Sequence, residues 1–356
     1  MKKVLMKGNH AVVEGAIQAG CTAYFGYPIT PQNEITGHMA KRMGEEDRVF
    51  IQSESEIAAI SMVFGASVAG ARALTSSSSP GISLKQEGIS YMAGCELPGV
   101  IVNIQRGGPG LGNISASQSD YFQATRGGGH GDYRTIVLAP YSVQEMYDLT
   151  RKSFELADKY RMPVIILADG YLGQIFEPVL IKDKLASVKF EKNWILDGCK
   201  NRKPRLIRSL FMGENELENH NWKLKKVYDT IVKKEAVYKT LLTDDADVVL
   251  VAFGTPARIC ETAIAKLRSR GVKAGLVRPI TLWPFPSGII SRLAQKVEAF
   301  IVIEMNLGQM VEDVKLAVNG MTRVLFYGRP GGGLPEVSQI VKISRKAALY
   351  RGKDGK

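Results

Sequence analysis

The sequence predicts an α/β fold in which parallel sheets carry helices on both faces. Two observations support this. Uninterrupted apolar runs of strand length recur, among them "VIVNIQ", "PVIILAD", "DVVLVAFG" and "AFIVIE", and such runs suit strands buried on both sides. Stretches of helical spacing lie between them, so strand and helix alternate along the chain. At 356 residues, 45% hydrophobic and 23% charged, the chain has room for two such units.

Residues 1–185 form the first expected unit. Asn9 to Gly20 reads as a helix and Ala23 to Phe25 as a short strand. Pro31 to Met43 is a helix, with Ile35, Met39 and Met43 on one face and Gly44 as its stop. In "FGYPITPQNEI", Thr30 followed by Pro31 reads as an N-cap and a proline at the first helical position. "RVFIQS" is strand-like, Glu54 to Ala71 is a helix of small residues, and another helix follows "TSSSSPGI" through Cys95. The strand "VIVNIQ", a Gly/Ser-rich loop over 107–131, a helix near Val143–Ala157 and the strand "PVIILAD" complete the unit. The alternation restarts in residues 245–356: "DVVLVAFG", a helix from Pro256 to Ser269, "KAGLVRP", a helix, "AFIVIE", a helix, "RVLFYG" and a last helix after Pro335. The intervening 186–244 is charged and poorly periodic, and is expected to be an irregular linker.

Composition narrows the functional classes. No apolar run approaches the ~20 residues that span a bilayer, and the start "MKKVLMKGNH" lacks the apolar core of a signal peptide, so a cytoplasmic location is expected. Cys21, Cys95, Cys199 and Cys260 include no C-x-x-C pair, and His10, His38, His130 and His220 lack metal-ligand spacing; no metal site is expected in this chain. Much of the excess behind the net charge of +12 lies between about Lys182 and Lys239. Without interleaved aromatic residues, this basic stretch fits a solvated connector or a face for an acidic partner better than a nucleic-acid platform.

Few motifs carry chemistry on their own. "GGPGLGN" lacks the strand–turn–helix context of a dinucleotide fingerprint, and "GRPGGG" reads as a glycine turn or as a phosphate cradle. In "QSESEIAAI", Ser53 and Glu56 have the spacing of a capping box. Yet Glu56 precedes an apolar run, an unusual setting that suits a carboxylate used in proton transfer. Glu54 points to another side of the helix. Arg106 ends a buried strand, at the sheet edge where ligands bind, and is either solvated there or a bidentate partner for a carboxylate.

Taken together and in order, "GYPITP", "SESEIAA", "FGASVAGARALTSSSSPG", "ELPGVIVNIQRGGPG", "SQSDYFQA", "ILADGYLGQ", "ADVVLVAFGTPARI" and "GVKAGLVRPITLWPFP" closely resemble the α subunit of the thiamine-diphosphate-dependent 2-oxoacid:ferredoxin oxidoreductases. The likeness spans nearly the whole chain apart from the linker and is nearest to the 2-oxoisovalerate type, with the 2-oxoglutarate type next. It implies the thiamine-diphosphate-binding fold: a pyrimidine-type domain over 1–185 and a transketolase C-terminal-like α/β domain over 245–356.

The resemblance also implies roles. Glu56 matches the family glutamate that hydrogen-bonds N1′ of the aminopyrimidine. Tyr27, Ile29 and Thr30 belong to the loop over the cofactor, with Thr30 facing the 2-oxoacid, and Arg106 matches the position that holds the substrate carboxylate. The GDG-type Mg²⁺–diphosphate motif is absent, since "ADGYLG" follows a different pattern, and no cysteine set for [4Fe-4S] clusters is present. Mg²⁺ with the diphosphate is then expected on a β subunit and the clusters on a ferredoxin-like subunit, beside a γ subunit, with CoA and ferredoxin as co-substrates. The competing reading from another class is a non-catalytic phosphate- or nucleotide-binding scaffold using "GRPGGG" and the basic linker.

Overall fold

The computed structural model describes residues 2–181 and 191–349; the expected boundary at 185/186 and the residues after 349 lie outside the described residues. The chain begins with β1 (Lys2–Lys7), α1 (Gly8–Gln18), β2 (Ala23–Gly26), α2 (Asn33–Glu45), β3 (Val49–Gln52), α3 (Glu56–Val68), β4 (Ala73–Ser77), α4 (Ser79–Gly94) and β5 (Gly99–Gln105). Next come α5 (Tyr121–Arg126), β6 (Ile136–Leu138), α6 (Val143–Tyr160), β7 (Pro163–Asp169), α7 (Gly170–Gln174) and β8 (Phe176–Ile181). The rest comprises α8 (Glu216–Lys234), β9 (Tyr238–Leu241), β10 (Val248–Val251), α9 (Gly254–Arg268), β11 (Ala274–Pro279), β12 (Thr281–Trp283), α10 (Ser287–Ala294), β13 (Ala299–Glu304), α11 (Met310–Val318), β14 (Arg323–Gly328) and α12 (Val337–Ala348).

The apolar runs become the sheet interiors. A seven-stranded sheet has the order β12-β6-β7-β5-β4-β2-β3, parallel except where β12 pairs antiparallel with β6. Every residue of β5 and β7 is buried, as strands covered on both faces require. Ile60 and Val63 of α3 and Ile82, Ile89 and Met92 of α4 pack with Ile101 on one side of the sheet. Val12, Ile35, Met39 and Tyr147 from α1, α2 and α6 pack with Leu74, Val100 and Val102 on the other. A second sheet, β14-β13-β10-β11-β9, is parallel except for β9 at its edge. No helix among the described residues is long and apolar enough to cross a membrane.

Several local expectations change. The stretch expected to be irregular contains the 19-residue α8, anchored by buried Leu224, Tyr228 and Ile231, and then β9, which extends the second sheet. β1, unread in the sequence, pairs antiparallel with β8. β12 joins the first sheet although it lies among the residues of the second unit. Helix α2 begins at Asn33 rather than at Pro31, so Thr30 is not its N-cap; Thr30 Oγ1 instead accepts a bond from Asn33 Nδ2 at 3.3 Å. Ser55, not Ser53, caps α3 by accepting from Ala58 N at 3.2 Å, and Ser53 donates to the carbonyls of Gly26 and Ser55.

The two halves are tied by polar contacts as well as by β12. Asp169 caps α7 through the amides of Tyr171 and Leu172, and also accepts from Thr255 N and Oγ1 across the junction. Gly254 has φ +58°, and a Cβ there would lie 2.9 Å from Asp169 Oδ2, so glycine is required for this approach. Arg278 forks onto Glu145 with two 2.8 Å bonds, and Tyr121 donates to Asp313 at 2.5 Å.

Candidate active site

Strand order decides where a ligand goes. β2 lies between β3 and β4, so the chain crosses to one side after β2 and returns past it after β3. Ligands of open parallel sheets bind at such a reversal, beyond the C-terminal strand ends. The loop after β2 carries Tyr27, Ile29 and Thr30; the turn after β3 leads to Glu56; Ser77 and Ser78 follow from the end of β4. Arg106 follows β5 on the same edge.

Glu56 opens α3 and is only 5% exposed. A carboxylate in the first turn is favoured by the helix dipole, which offsets part of its burial. Among the described residues no hydrogen bond reaches its carboxylate. Gly81 of α4 packs directly on it: a Cβ there would lie 2.5 Å from Glu56 Oε1 and 2.1 Å from Ser77 Oγ. The hydroxyls of Ser77 and Ser78 are buried without a hydrogen-bond partner. An orphaned hydroxyl beside a buried carboxylate, as at Ser77, is costly unless a ligand satisfies it. A polar heterocycle with donor and acceptor atoms along one edge, such as an aminopyrimidine, fits that requirement.

The loop over this site is held from beneath. Buried Gln32 accepts from Ser76 Oγ at 2.6 Å and donates to the Tyr27 carbonyl at 3.2 Å. Tyr24 OH bonds Ser76 and Thr36, and Asn9 Nδ2 donates to the Pro31 carbonyl at 2.9 Å. Tyr27 and Thr30 themselves are exposed and Ile29 is half-buried, so the network fixes the loop while leaving its outer face open.

Arg106 is buried, and its fork is largely committed. Nη1 donates to the Thr30 carbonyl at 3.1 Å and Nη2 to the Leu111 carbonyl at 3.0 Å, while Nε has no partner. Arg106 therefore meets Thr30 through the main chain of the loop. Next to them, Asp120 accepts from Ser79 Oγ at 2.6 Å and Asn103 Nδ2 at 2.8 Å. Burial pushes the Asp120 carboxyl above its ordinary value, against the pull of those two bonds. A cavity of about 410 Å³ opens there, between Ser79, Pro109, Ser119 and Asp120 of the first half and Asn306, Leu307, Gln309 and Gly331 of the second.

Sequence reasoning passed over Ser77, Ser78, Asp120 and Lys85. Lys85 has no exposed surface, and burial pushes its amine down to about 7 while the Glu56 charge pulls it up. The run of four serines was the visible signal for the first two; a lysine in a helix gives none, because lysines are nearly always exposed. "GRPGGG" does not lead into a helix N-terminus: α12 starts at Val337, with Glu336 at its cap paired to Arg329. The turn instead accepts Asn113 Nδ2 on the Gly331 carbonyl at 3.0 Å.

Two family models match the chain. Residues 14–238 match the thiamine-diphosphate-binding domain of pyruvate flavodoxin/ferredoxin oxidoreductases, and 246–340 match core domain II of pyruvate:ferredoxin oxidoreductase. The chain belongs to the 2-oxoacid:ferredoxin oxidoreductases. Within this family it is 49% identical to the ketoisovalerate oxidoreductase subunit VorB of Methanothermobacter marburgensis, over 98% of this chain and 99% of that one. It is 37% identical to the 2-oxoglutarate synthase subunit KorA of the same organism, over 96% and 98%. A structure of 2-oxoglutarate:ferredoxin oxidoreductase from Magnetococcus marinus, with 2-oxoglutarate, coenzyme A and succinyl-CoA bound, superposes with a TM-score of 0.85 at 26% identity; it covers 97% of this chain, which spans 65% of that one. A split-gene transketolase shares the fold at a TM-score of 0.62 and 14% identity, covering 96% and 97% of the two chains. The chain is thus a subunit of an oxidoreductase with the thiamine-diphosphate-binding fold.

Proposed function

We propose that this chain is the α subunit of a complex that oxidatively decarboxylates a branched 2-oxoacid, 2-oxoisovalerate foremost, to an acyl-CoA with reduction of ferredoxin. The observation that carries the site is the buried Glu56 carboxylate beside the orphaned Ser77 hydroxyl, at the reversal of strand order. The substrate class is supported by the 49% identity to the ketoisovalerate relative. In the same reading, residues 1–185 are the pyrimidine-binding unit, 186–244 a connector and 245–356 the transketolase C-terminal-like unit; the second family match, from 246, supports the start of the last unit, while the first match runs on through 238.

Thiamine diphosphate, when bound, supplies the electron sink that lets a 2-oxoacid lose CO₂. Glu56 holds a proton at the N1′ edge of the aminopyrimidine, and its exclusion from water strengthens that bond. Gly81 leaves room for the Glu56 carboxyl and the Ser77 hydroxyl. Tyr27, Ile29 and Thr30 close over it from a loop whose position Gln32 and Arg106 maintain. The unpaired Nε edge of Arg106 is available to a substrate carboxylate.

A β subunit then supplies Mg²⁺ and the diphosphate site, a ferredoxin-like subunit the [4Fe-4S] clusters, and a γ subunit completes the complex. Exposed Tyr27, Ile57, Leu84, Leu111 and Ile114 on the first half support a covering partner. The same reading puts the complex in the cytoplasm, where thiols stay reduced, and the four free cysteines are compatible with it.

The test is Glu56→Gln in the assembled complex. Amide for carboxylate keeps the shape but cannot hold the proton, so C2–H exchange of the cofactor and 2-oxoacid-dependent ferredoxin reduction fall by roughly 10²-fold. Normal exchange in Glu56→Gln, with Glu54→Gln inactive, would assign the role to the other carboxylate. The 37% identity to the 2-oxoglutarate synthase subunit favours a second reading, in which 2-oxoglutarate is preferred. The ratio of kcat/KM for the two 2-oxoacids separates them.

A further inference from the structure

We propose that Asp120 is a positioning residue for Arg106: its carboxylate fixes Ser79, and Ser79 fixes the main chain from which the guanidinium projects. Asp120 stands at the N-terminal end of α5, where an aspartate ordinarily caps the helix. Here its side chain makes no cap bond. Oδ2 instead accepts from Ser79 Oγ at 2.6 Å and from Asn103 Nδ2 at 2.8 Å, back across the end of the sheet. The carboxylate therefore serves β5 and α4 rather than its own helix.

Ser79 relays that hold. Its hydroxyl has one proton to give, and Asp120 is the nearer acceptor, with the Arg106 carbonyl at 3.3 Å. While the proton points to Asp120, the same oxygen accepts the Arg106 amide at 3.0 Å. Bonds joined in line polarise one another, so the amide is held more firmly than by a serine alone. Asn103 closes a ring, since its Oδ1 takes the Ser79 amide at 3.1 Å while its Nδ2 holds Asp120. The Asp120 amide donates to Gln105 Oε1 at 3.1 Å, which ties a further residue of the strand end to the same point. The far end of the arginine is held separately, by the Thr30 and Leu111 carbonyls. Fixed at both ends, the side chain keeps its unpaired Nε in one place. With the main-chain end released, Nε can turn away while the fork keeps its bonds.

The ring belongs to the fold; its consequence for the substrate rests on Arg106 binding the 2-oxoacid carboxylate. Asp120→Ala in the assembled complex removes the acceptor of both bonds. KM for the 2-oxoacid rises roughly tenfold, the scale of one lost hydrogen bond to a charged group, while C2–H exchange of the cofactor persists. Asp120→Asn keeps an acceptor oxygen in place and restores KM to within about twofold of the parent. In an Arg106→Ala background, Asp120→Ala adds no further rise, because the two act as one unit. Should Asp120→Ala not fold, Ser79→Ala cuts the same path and carries the same expectation. A merely structural aspartate would lower thermal stability and leave KM in place, which overturns the proposal. A rise that Asp120→Asn shares in full also overturns it, since the charge itself would then meet the substrate. Amide hydrogen exchange on the lone chain gives a readout free of turnover. In Asp120→Ala the fragments carrying the Ser79 and Arg106 amides exchange about tenfold faster while β7 keeps its rate, and equal rates overturn the proposal. If those fragments quicken but Arg106→Ala leaves KM unchanged, the substrate role of Arg106 fails while its link to Asp120 through Ser79 stands.

Discussion

Gly81 is the residue on which the candidate site turns. Gly81→Ala would place a methyl 2.1 Å from Ser77 Oγ and 2.5 Å from Glu56 Oε1, so one of those groups must leave its position. Titration calorimetry on the assembled complex should show thiamine diphosphate affinity falling tenfold or more, a cost of about 1.4 kcal/mol. An affinity equal to the parent's would move the cofactor away from α4. Arg106 makes a different prediction. Arg106→Ala removes both the free Nε edge and the ties to the Thr30 and Leu111 carbonyls. KM for the 2-oxoacid should rise while C2–H exchange of the cofactor persists. Lost exchange at unchanged KM would place the guanidinium at the cofactor instead.

At the scale of elements, the loop after β2 shows how a segment with an exposed outer face is held in place. Its carbonyls at Tyr27, Thr30 and Pro31 each receive a donor from a side chain elsewhere: Gln32, Arg106 and Asn9. Gln32 is the buried joint, because its carbonyl oxygen also takes the Ser76 hydroxyl. Gln32→Ala takes the amide partner from the Ser76 hydroxyl, leaving Ser76, Tyr24 and Thr36 as the remnant of the network, and releases the Tyr27 carbonyl. Urea unfolding of the chain should register a loss of about 1–3 kcal/mol, the cost of unsatisfied buried polar groups. A loss near zero would mean that water replaces the amide and that the loop is anchored elsewhere.

Across the whole molecule, the two halves form one support for the candidate site. β12 extends the first sheet, Asp169 and Gln118 bond across the junction, and Arg278 clamps Glu145. In the proposed reading this edge serves the aminopyrimidine, and among the described residues no group of three or more His, Cys, Asp or Glu could hold a cation. A diphosphate needs such charge neutralisation. The chain by itself should therefore bind thiamine diphosphate with Kd on the order of 10⁻⁴ M or weaker, about 5.5 kcal/mol, and adding the β subunit should tighten it steeply. Calorimetry on the lone chain checks this, and micromolar Mg²⁺-dependent binding would reveal a complete site in this subunit.

Legibility in the sequence followed burial. β5, β7, β10 and β13 could be read directly because strands covered on both faces must be apolar throughout. Glu56, Thr30 and Arg106 were legible as candidates through the ordered set of motifs that resembles one enzyme family, and the family matches agree with that resemblance. α8 was not legible because only Leu224, Tyr228 and Ile231 face the core, amid lysines and acids. β1 and β12 were hidden for a related reason: each is a short or polar strand whose partner is distant in sequence, at Phe176–Ile181 and Ile136–Leu138. Local chemistry thus determined the alternation of elements and the residue types at the sheet edge. Only the tertiary structure decided that α3 is capped by Ser55, that Arg106 holds the loop carrying Thr30, and that a lysine from α4 is buried under Glu56. Caps, forks and buried charges are set by which donors and acceptors the packing brings within hydrogen-bonding distance, and that proximity is a property of the folded chain.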